Sequence, residues 1–166
     1  RVKDRAILRV FHLKVTFRNA DKSDLETLSR IYEKPYGDYE TARKFVKMYL
    51  DHYFVKIVEV RGRNIGRLIW FPREDPKLGW AEILDLGIEE EYRRRGLGLK
   101  LLQETIKDIE AHYKSMGHEA RCIVLFTSQD NIAARRLYEK AGFKRVGYGG
   151  YISEDGTPEL LYALNL

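Results

Sequence analysis

Leu86-Gly-Ile-Glu-Glu-Glu-Tyr-Arg-Arg-Arg-Gly-Leu-Gly98 is the stretch on which the reading of this chain turns. An apolar strand end runs into three glutamates, then Arg93, Arg94 and Arg95, then Gly96-Leu97-Gly98, and from Leu99 into a long amphipathic segment. Glycines let backbone approach a ligand closely, because no Cβ intervenes. The first N–H groups of a helix lack intrahelical partners, and the helix dipole adds partial positive charge there. A diphosphate fits such a place, and arginines beside it supply full charges. Taken alone, the loop reads equally as a turn with solvated arginines. It is not a Walker loop, which needs Gly-Lys followed by Ser or Thr. It lacks the third glycine of the dinucleotide fingerprint, where Leu101 stands instead.

Outward from this loop the chain alternates strand and helix patterns. Gly79–Ile88 reads as the preceding strand. After the loop, Leu99, Leu102, Ile106, Ile109, Tyr113 and Met116 form a helical stripe that Gly117 is placed to cap. Upstream, Ile7–Phe17 reads as a strand. Asp21–Asp24 is a helix start with Leu25, Leu28 and Ile31 behind it, and Pro35–Asp38 is a break before a helix over Tyr39–Asp51. Phe54–Val60 and Ile65–Phe71 are strands joined by an Arg61–Asn64 turn, and Arg73–Leu78 is a loop. Downstream, Arg121–Phe126 is a strand, Asn131–Ala141 a helix ended by Gly142, and Lys144–Gly150 and Glu159–Leu166 are closing strands. The order β-α-α-β-β-β-α-β-α-β-β is a mixed α/β fold in one domain over residues 1–166, without repeat or linker.

Composition narrows the classes. With 166 residues and 44% hydrophobic content the chain is globular, with room for one real core. No apolar run reaches membrane-spanning length, and charge interrupts Arg1–Leu13, so neither a membrane span nor a signal peptide is expected and a cytoplasmic location is. The single cysteine, Cys122, lies in an apolar run and reads as a small buried strand residue rather than a nucleophile. His12, His52, His112 and His118 have no metal-ligand spacing, His112 and His118 read as surface residues, and no metal is expected. The net charge of +5 suits an anionic ligand, whereas basic residues interleaved with aromatic ones, as nucleic acid would require, are missing.

A second segment bears on the loop's ambiguity. Asn131-Ile-Ala-Ala134-Arg-Arg-Leu137-Tyr138-Glu139-Lys140-Ala-Gly142-Phe143 follows an apolar strand, in order after Arg93-x-x-Gly96-x-Gly98. Each segment independently resembles the GNAT superfamily of N-acetyltransferases, the first its acetyl-CoA pyrophosphate loop and the second the helix after its fifth strand. The resemblance is strong over about residues 80–145 and covers the N-terminal third in outline.

The resemblance implies a GNAT-type fold, with a partly antiparallel sheet flanked by helices, and transfer of an acetyl group from acetyl-CoA, without metal, to a primary amine by direct attack in a ternary complex. The acceptor amine belongs to a protein N-terminus, a lysine or a small molecule. Arg93, Arg94, Arg95, Gly96, Leu97, Gly98 and Leu99 then hold the diphosphate. The strand before the loop splays, so that Leu86, Gly87 and Ile88 offer backbone groups to the acetyl-pantetheine arm. The Ile88 N–H is the oxyanion donor, and Gly87 allows close approach. Asn131 and Tyr138, about two helical turns apart, share a face. Asn131 bonds the pantetheine, Ala134 lets the arm pass, and Tyr138 is the general acid for the departing sulfur. Glu82 is the first candidate for the base. It shares strand parity with Leu86 and Ile88, and half-burial raises a carboxyl toward neutrality. Asp85 falls on the opposite face. The acceptor region is expected among Tyr32, Tyr36, Tyr39, Tyr148 and Tyr151 with Glu33, Asp38 and Glu40. The family often has a proline where this chain has Glu89-Glu90-Glu91, and those carboxylates must point away from a diphosphate. The competing reading is a non-catalytic CoA-sensing or basic nucleic-acid-binding module. A two-fold homodimer is compatible with either.

Overall fold

Local turn chemistry sets the elements. The structure, a computed structural model, describes residues 14–151 and 156–166, apart from the Tyr151 side chain. The strand reading over 7–13 and His12 lie outside the described residues. In chain order the elements are β1 (Val15–Asn19), α1 (Leu25–Tyr36), α2 (Tyr39–His52), β2 (Phe54–Val60), β3 (Arg63–Pro72), β4 (Trp80–Ile88), α3 (Leu97–Ser115), β5 (Cys122–Ser128), α4 (Ile132–Lys140), β6 (Lys144–Tyr151) and β7 (Pro158–Asn165). This is the order read from the sequence. Arg61 and Gly62 both take positive φ, 53° and 77°, which makes the β2–β3 connection the two-residue turn that matches strand twist. Gly117 at φ 76° ends α3, with the His118 N–H donating to the Tyr113 carbonyl. α1 runs through Pro35, one residue before its end, where the missing N–H leaves the Ile31 carbonyl without its helix donor, and it stops at Gly37.

The seven strands form one sheet in the order β1-β2-β3-β4-β5-β7-β6. Among the described residues only the β4–β5 pair is parallel. α1 and α2 bury Leu28, Tyr32, Ala42, Val46 and Tyr49 against Val55, Ile57 and Ile69 on one face. α3 and α4 bury Leu101, Leu102, Ile109, Tyr113 and Tyr138 against Leu68, Trp70, Ala81, Ile83, Ile123, Leu125 and Tyr162 on the other. The stripe on α3 is rotated from the sequence reading. Leu101 and Thr105 are fully buried, Leu99 is only half-buried and Met116 is exposed, because the helix crosses the sheet with Leu101 beneath it rather than Leu99.

The entry to α1 carries a polar lock. Asp21 and Asp24 form a reciprocal capping box around a short 3-10 turn. Asp24 also accepts two hydrogen bonds from the Arg18 guanidinium, at 2.9 and 2.8 Å, and Glu59 of β2 accepts from the same group at 2.7 Å. The Arg18 bonds and, less strongly, the Asp21 N–H hold the Asp24 carboxyl below its usual range, against burial. Its contribution is therefore present above the unfolded pKa and lost as pH falls through the lower folded one. Asp24→Asn is expected to cost about 1–2 kcal/mol at neutral pH, roughly 2–4 °C of Tm per kcal/mol. In thermal melts the gap to the parent should close as pH drops below about 4.

Candidate active site

β4 and β5 part company midway, and the opening between them is where the candidate residues gather. Their register runs only from Trp80↔Cys122 to Ile83↔Leu125. Beyond it β4 stays paired to β3 as far as Ile88. The separation begins at a bulge: Trp70 opposes Ile83 and Ile69 opposes Asp85, leaving Leu84 without a partner in β3. The Glu89 N–H donates to the Ile65 carbonyl at 2.8 Å, and Gly66 stands opposite Ile88. In an antiparallel ladder this makes Ile88 and Leu86 non-hydrogen-bonded positions, so their peptide groups point away from β3 into the opening. Gly87 is the hydrogen-bonded position, its peptide groups engaged with Arg67 of β3. Of the three backbone positions expected to face a ligand, Leu86 and Ile88 turn their peptide groups into the opening and Gly87 does not.

The loop beyond β4 is braced by its own arginines. Arg93 Nε donates to the Ile88 carbonyl at 2.9 Å, and Arg95 Nη2 donates to the Glu91 carbonyl at 3.0 Å with its guanidinium over the Tyr92 ring. Arg94 is exposed at φ 59°, and Gly96 follows at φ 77° as the residue before α3. A Cβ on Gly96 would meet nothing within 4 Å, so the approach to it is open. The first closing bond of α3 is Lys100 N–H to the Gly96 carbonyl, which leaves the N–H groups of Leu97, Gly98 and Leu99 without helix partners. Gly98 faces Leu137 of α4 and Ile88: a Cβ there would lie 3.4 Å from the Leu137 side chain, in ordinary contact. The acidic run is turned aside, since Arg63 of β3 pairs with Glu89 at 2.7 Å and Glu91 at 3.3 Å.

The bulge overturns one sequence expectation. Before it, Ala81 and Ile83 face α3; after it, Leu86 and Ile88 do. The extra residue shifts the alternation by one, so Glu82 does not share a face with Leu86 and Ile88 but lies with Asp85 on the α1–α2 side. Its β3 neighbour there is Phe71, stacked on Tyr53. Glu82 is largely buried and meets Arg73 at 3.3 Å. Burial raises its carboxyl above the ordinary glutamate value, and Arg73 pulls the other way. Asp85 is tied to Arg67 at 2.9 Å and accepts from the Tyr32 hydroxyl. The space above Gly87, expected to admit a ligand, holds the Arg67 guanidinium.

α4 closes the other side of the opening. Asn131 is its N-cap, not a residue within it; its side-chain oxygen accepts from the Ala134 N–H at 3.1 Å, so it does not project from one helical face with Tyr138. Ala134 is half-buried against the α3 core. Tyr138 is 7% exposed, with Phe143 and Tyr162 around its ring. Its hydroxyl bonds no other described residue, yet Asn64 Nδ2 is the one fully buried side-chain polar atom without a partner among the described residues. The Tyr138 oxygen therefore keeps contact with solvent while its ring is enclosed. Burial and, secondarily, the Asp85 carboxylate push its pKa up to about 12. Asp85 faces α1 and α2 while Tyr138 comes from the opposite layer, so the two sense each other across the gap between β4 and β5.

The remaining candidates divide. Tyr32, Tyr36, Tyr49, Tyr53 and Phe71 form a chain of ring contacts that leads to Glu82. Tyr39 donates to Glu26, Asp38 caps α2 and Glu33 pairs with Arg30. Tyr148 is 66% exposed, and the Tyr151 side chain lies outside the described residues. Cys122 is half-buried on β5, and burial pushes its thiol up. His112 is not on the open surface: it packs edge-on against Phe54, Trp70 and Tyr113, and burial lowers its pKa. No cluster that could hold a metal ion occurs among the described residues, nor a helix long and apolar enough to cross a membrane. Sequence reasoning missed Arg67 and Arg73. A charge amid the apolar run Ile65–Phe71 was the available signal for Arg67.

A solved structure of Arabidopsis thaliana NAA60 in complex with acetyl-CoA superposes on this chain with a TM-score of 0.74 at 23% identity, over 92% of this chain and 99% of the other. In sequence, an uncharacterized N-acetyltransferase of Archaeoglobus fulgidus is 29% identical over 152 residues, covering 82% of this chain and 98% of the relative. An N-alpha-acetyltransferase of Saccharolobus solfataricus is 30% identical over 140 residues, covering 79% and 81%. A matching family model and these sequence relatives make this chain an acyltransferase of the N-acetyltransferase class. The chain belongs to the Acetyltransferase (GNAT) family, whose model matches residues 23–143.

Proposed function

We propose that this N-acetyltransferase moves the acetyl group of acetyl-CoA to the α-amino group of a protein N-terminus, by direct attack in a ternary complex. The observation that carries the reading is the β4–β5 opening: the Leu86 and Ile88 peptide groups point into it, the bare N-terminus of α3 lies next to Ile88, and Tyr138 packs in the same core cluster as Leu86 and Ile88. These features fit the cofactor. The open approach at Gly96 and the free N–H groups of Leu97, Gly98 and Leu99 suit its diphosphate, with Arg94 the arginine whose side chain is not engaged in bracing the loop. Acetyl-CoA supplies an activated thioester carbonyl. Ile88 N–H, rigid in its strand, stabilises the oxyanion that develops there, worth about 3–4 kcal/mol when well aimed.

Glu82 accepts the proton of the attacking amine, directly or through one water. Its raised pKa brings its basicity toward the working range. Tyr138 donates to the departing sulfur: it stays protonated through the neutral range and its hydroxyl is not spent on another side chain. The similarity to an N-alpha-acetyltransferase and the aromatic chain from Tyr36 to Phe71 favour a peptide terminus over a small amine. The test is a panel of short peptides with free α-amines, matched peptides with a blocked terminus and one internal lysine, and small polyamines, each with acetyl-CoA and a thiol readout. Release of thiol with free-terminus peptides is expected. Turnover confined to lysine or polyamines would reject the acceptor class, and no turnover with any amine would favour the sensing module.

A further inference from the structure

We propose that Arg67, Asp85 and Tyr32 are positioning residues: a three-part latch that holds the bulged end of β4 so that the Leu86 and Ile88 peptide groups keep their aim into the opening. The consequence for rate rests on the acetyl transfer proposed above; the structural part stands without it. Beyond Ile83, β4 has lost β5 as a neighbour and is interrupted by a bulge at Leu84. A strand end paired along one edge only, next to a bulge, is the weakest part of a sheet. Yet this is the segment whose backbone must be fixed to act on a carbonyl.

The latch draws one member from each neighbouring element. Arg67 leaves β3 in the middle of an otherwise apolar, buried run. Its Nη2 meets the Asp85 carboxylate at 2.9 Å, its Nε donates to the Tyr32 hydroxyl at 3.2 Å, and its guanidinium covers the Tyr32 ring at 4.9 Å. The Tyr32 hydroxyl in turn donates to Asp85, closing the ring of contacts between α1, β3 and β4. The guanidinium occupies the space over Gly87: a Cβ there would fall 1.9 Å from Nη1 and 2.5 Å from Cζ. Arg67 therefore grips β4 at two points, by charge at Asp85 and by contact at Gly87. A planar, multiply bonded guanidinium fixes orientation in a way that an apolar side chain of the same volume does not. This also accounts for the glycine at position 87, which makes room for Arg67.

Gly87→Ala removes no polar group but puts a methyl where the guanidinium lies, so the guanidinium must move off β4, while Arg67→Lys keeps the charge and removes the fork. Amide hydrogen exchange at Glu89, whose N–H bonds Ile65, reports whether the strand end is held. In both folded variants that exchange should quicken by about tenfold, with the Ile83 and Ile123 amides unchanged. The kcat should fall about 10- to 100-fold, as about 1 Å of misplacement suffices for that, with acceptor KM within about threefold. Unchanged Glu89 exchange, or faster exchange with kcat kept within about twofold of the parent, overturns the latch. If the parent enzyme transfers no acetyl group to any amine, the proposed function fails, and the exchange data alone decide whether the strand end is latched.

Discussion

Tyr138→Phe should lower kcat by about 100-fold or more, the usual worth of a positioned proton donor, while acetyl-CoA affinity stays within about threefold. The separation of the two effects follows from the surroundings of the ring. Phe143, Tyr162 and the α3 core hold it in place, and phenylalanine keeps those contacts. The hydroxyl bonds no other described side chain, so its loss leaves no orphaned partner and should cost little stability. What disappears is a proton source that burial and the Asp85 carboxylate keep protonated up to a pKa of about 12. Steady-state kinetics with acetyl-CoA varied at saturating acceptor measure both quantities. A variant as fast as its parent would remove Tyr138 from the reaction.

Glu82→Gln is the second large effect, a fall in kcat/KM of about 100-fold at neutral pH if Glu82 is the base. The sign of its pH dependence is fixed by burial. A base works deprotonated, and Glu82 is shifted upward. The parent should therefore lose activity as pH falls through a value above the ordinary glutamate pKa of about 4.3, and this acidic limb should flatten in the variant. The Arg73 contact makes a further distinction, since it opposes the shift. Arg73→Gln should move the acidic limb to higher pH without abolishing it. An unchanged limb in Glu82→Gln would assign the base elsewhere, with Asp85 next in line because the bulge puts it on the same face.

Much of the fold is legible in local chemistry. The Arg61-Gly62 turn, the Asp21–Asp24 cap and the Gly117 stop each follow from what a few neighbouring residues can adopt, and the element order follows from them. The opening between β4 and β5 is different, because it depends on where pairing stops, and pairing joins distant residues. Its cause nonetheless leaves a trace in β4. The apolar pattern Ala81, Ile83, then Leu86, Ile88 slips by one, which is how a bulge looks in sequence. Strict alternation applied across that slip put Glu82 on the wrong face and set it apart from Asp85. Gly87 and Asn131 show a second limit. A glycine next to a cleft and an asparagine at a helix start suit a ligand, but each also satisfies a need inside the protein: room for Arg67 in one case, a cap for α4 in the other. Likewise Arg93 and Arg95 read as charges for a diphosphate, and their side chains also brace the loop.

The most direct measurement is a titration of isotope-labelled protein with acetyl-CoA, followed by amide resonances. The largest shifts should fall on Leu86, Ile88, Leu97, Gly98 and Leu99, whose N–H groups have no strand or helix partner, with smaller ones along α4 around Ala134 and Tyr138. Saturable binding that moves resonances elsewhere and leaves these five amides unperturbed would mean that the β4–β5 opening does not hold the donor.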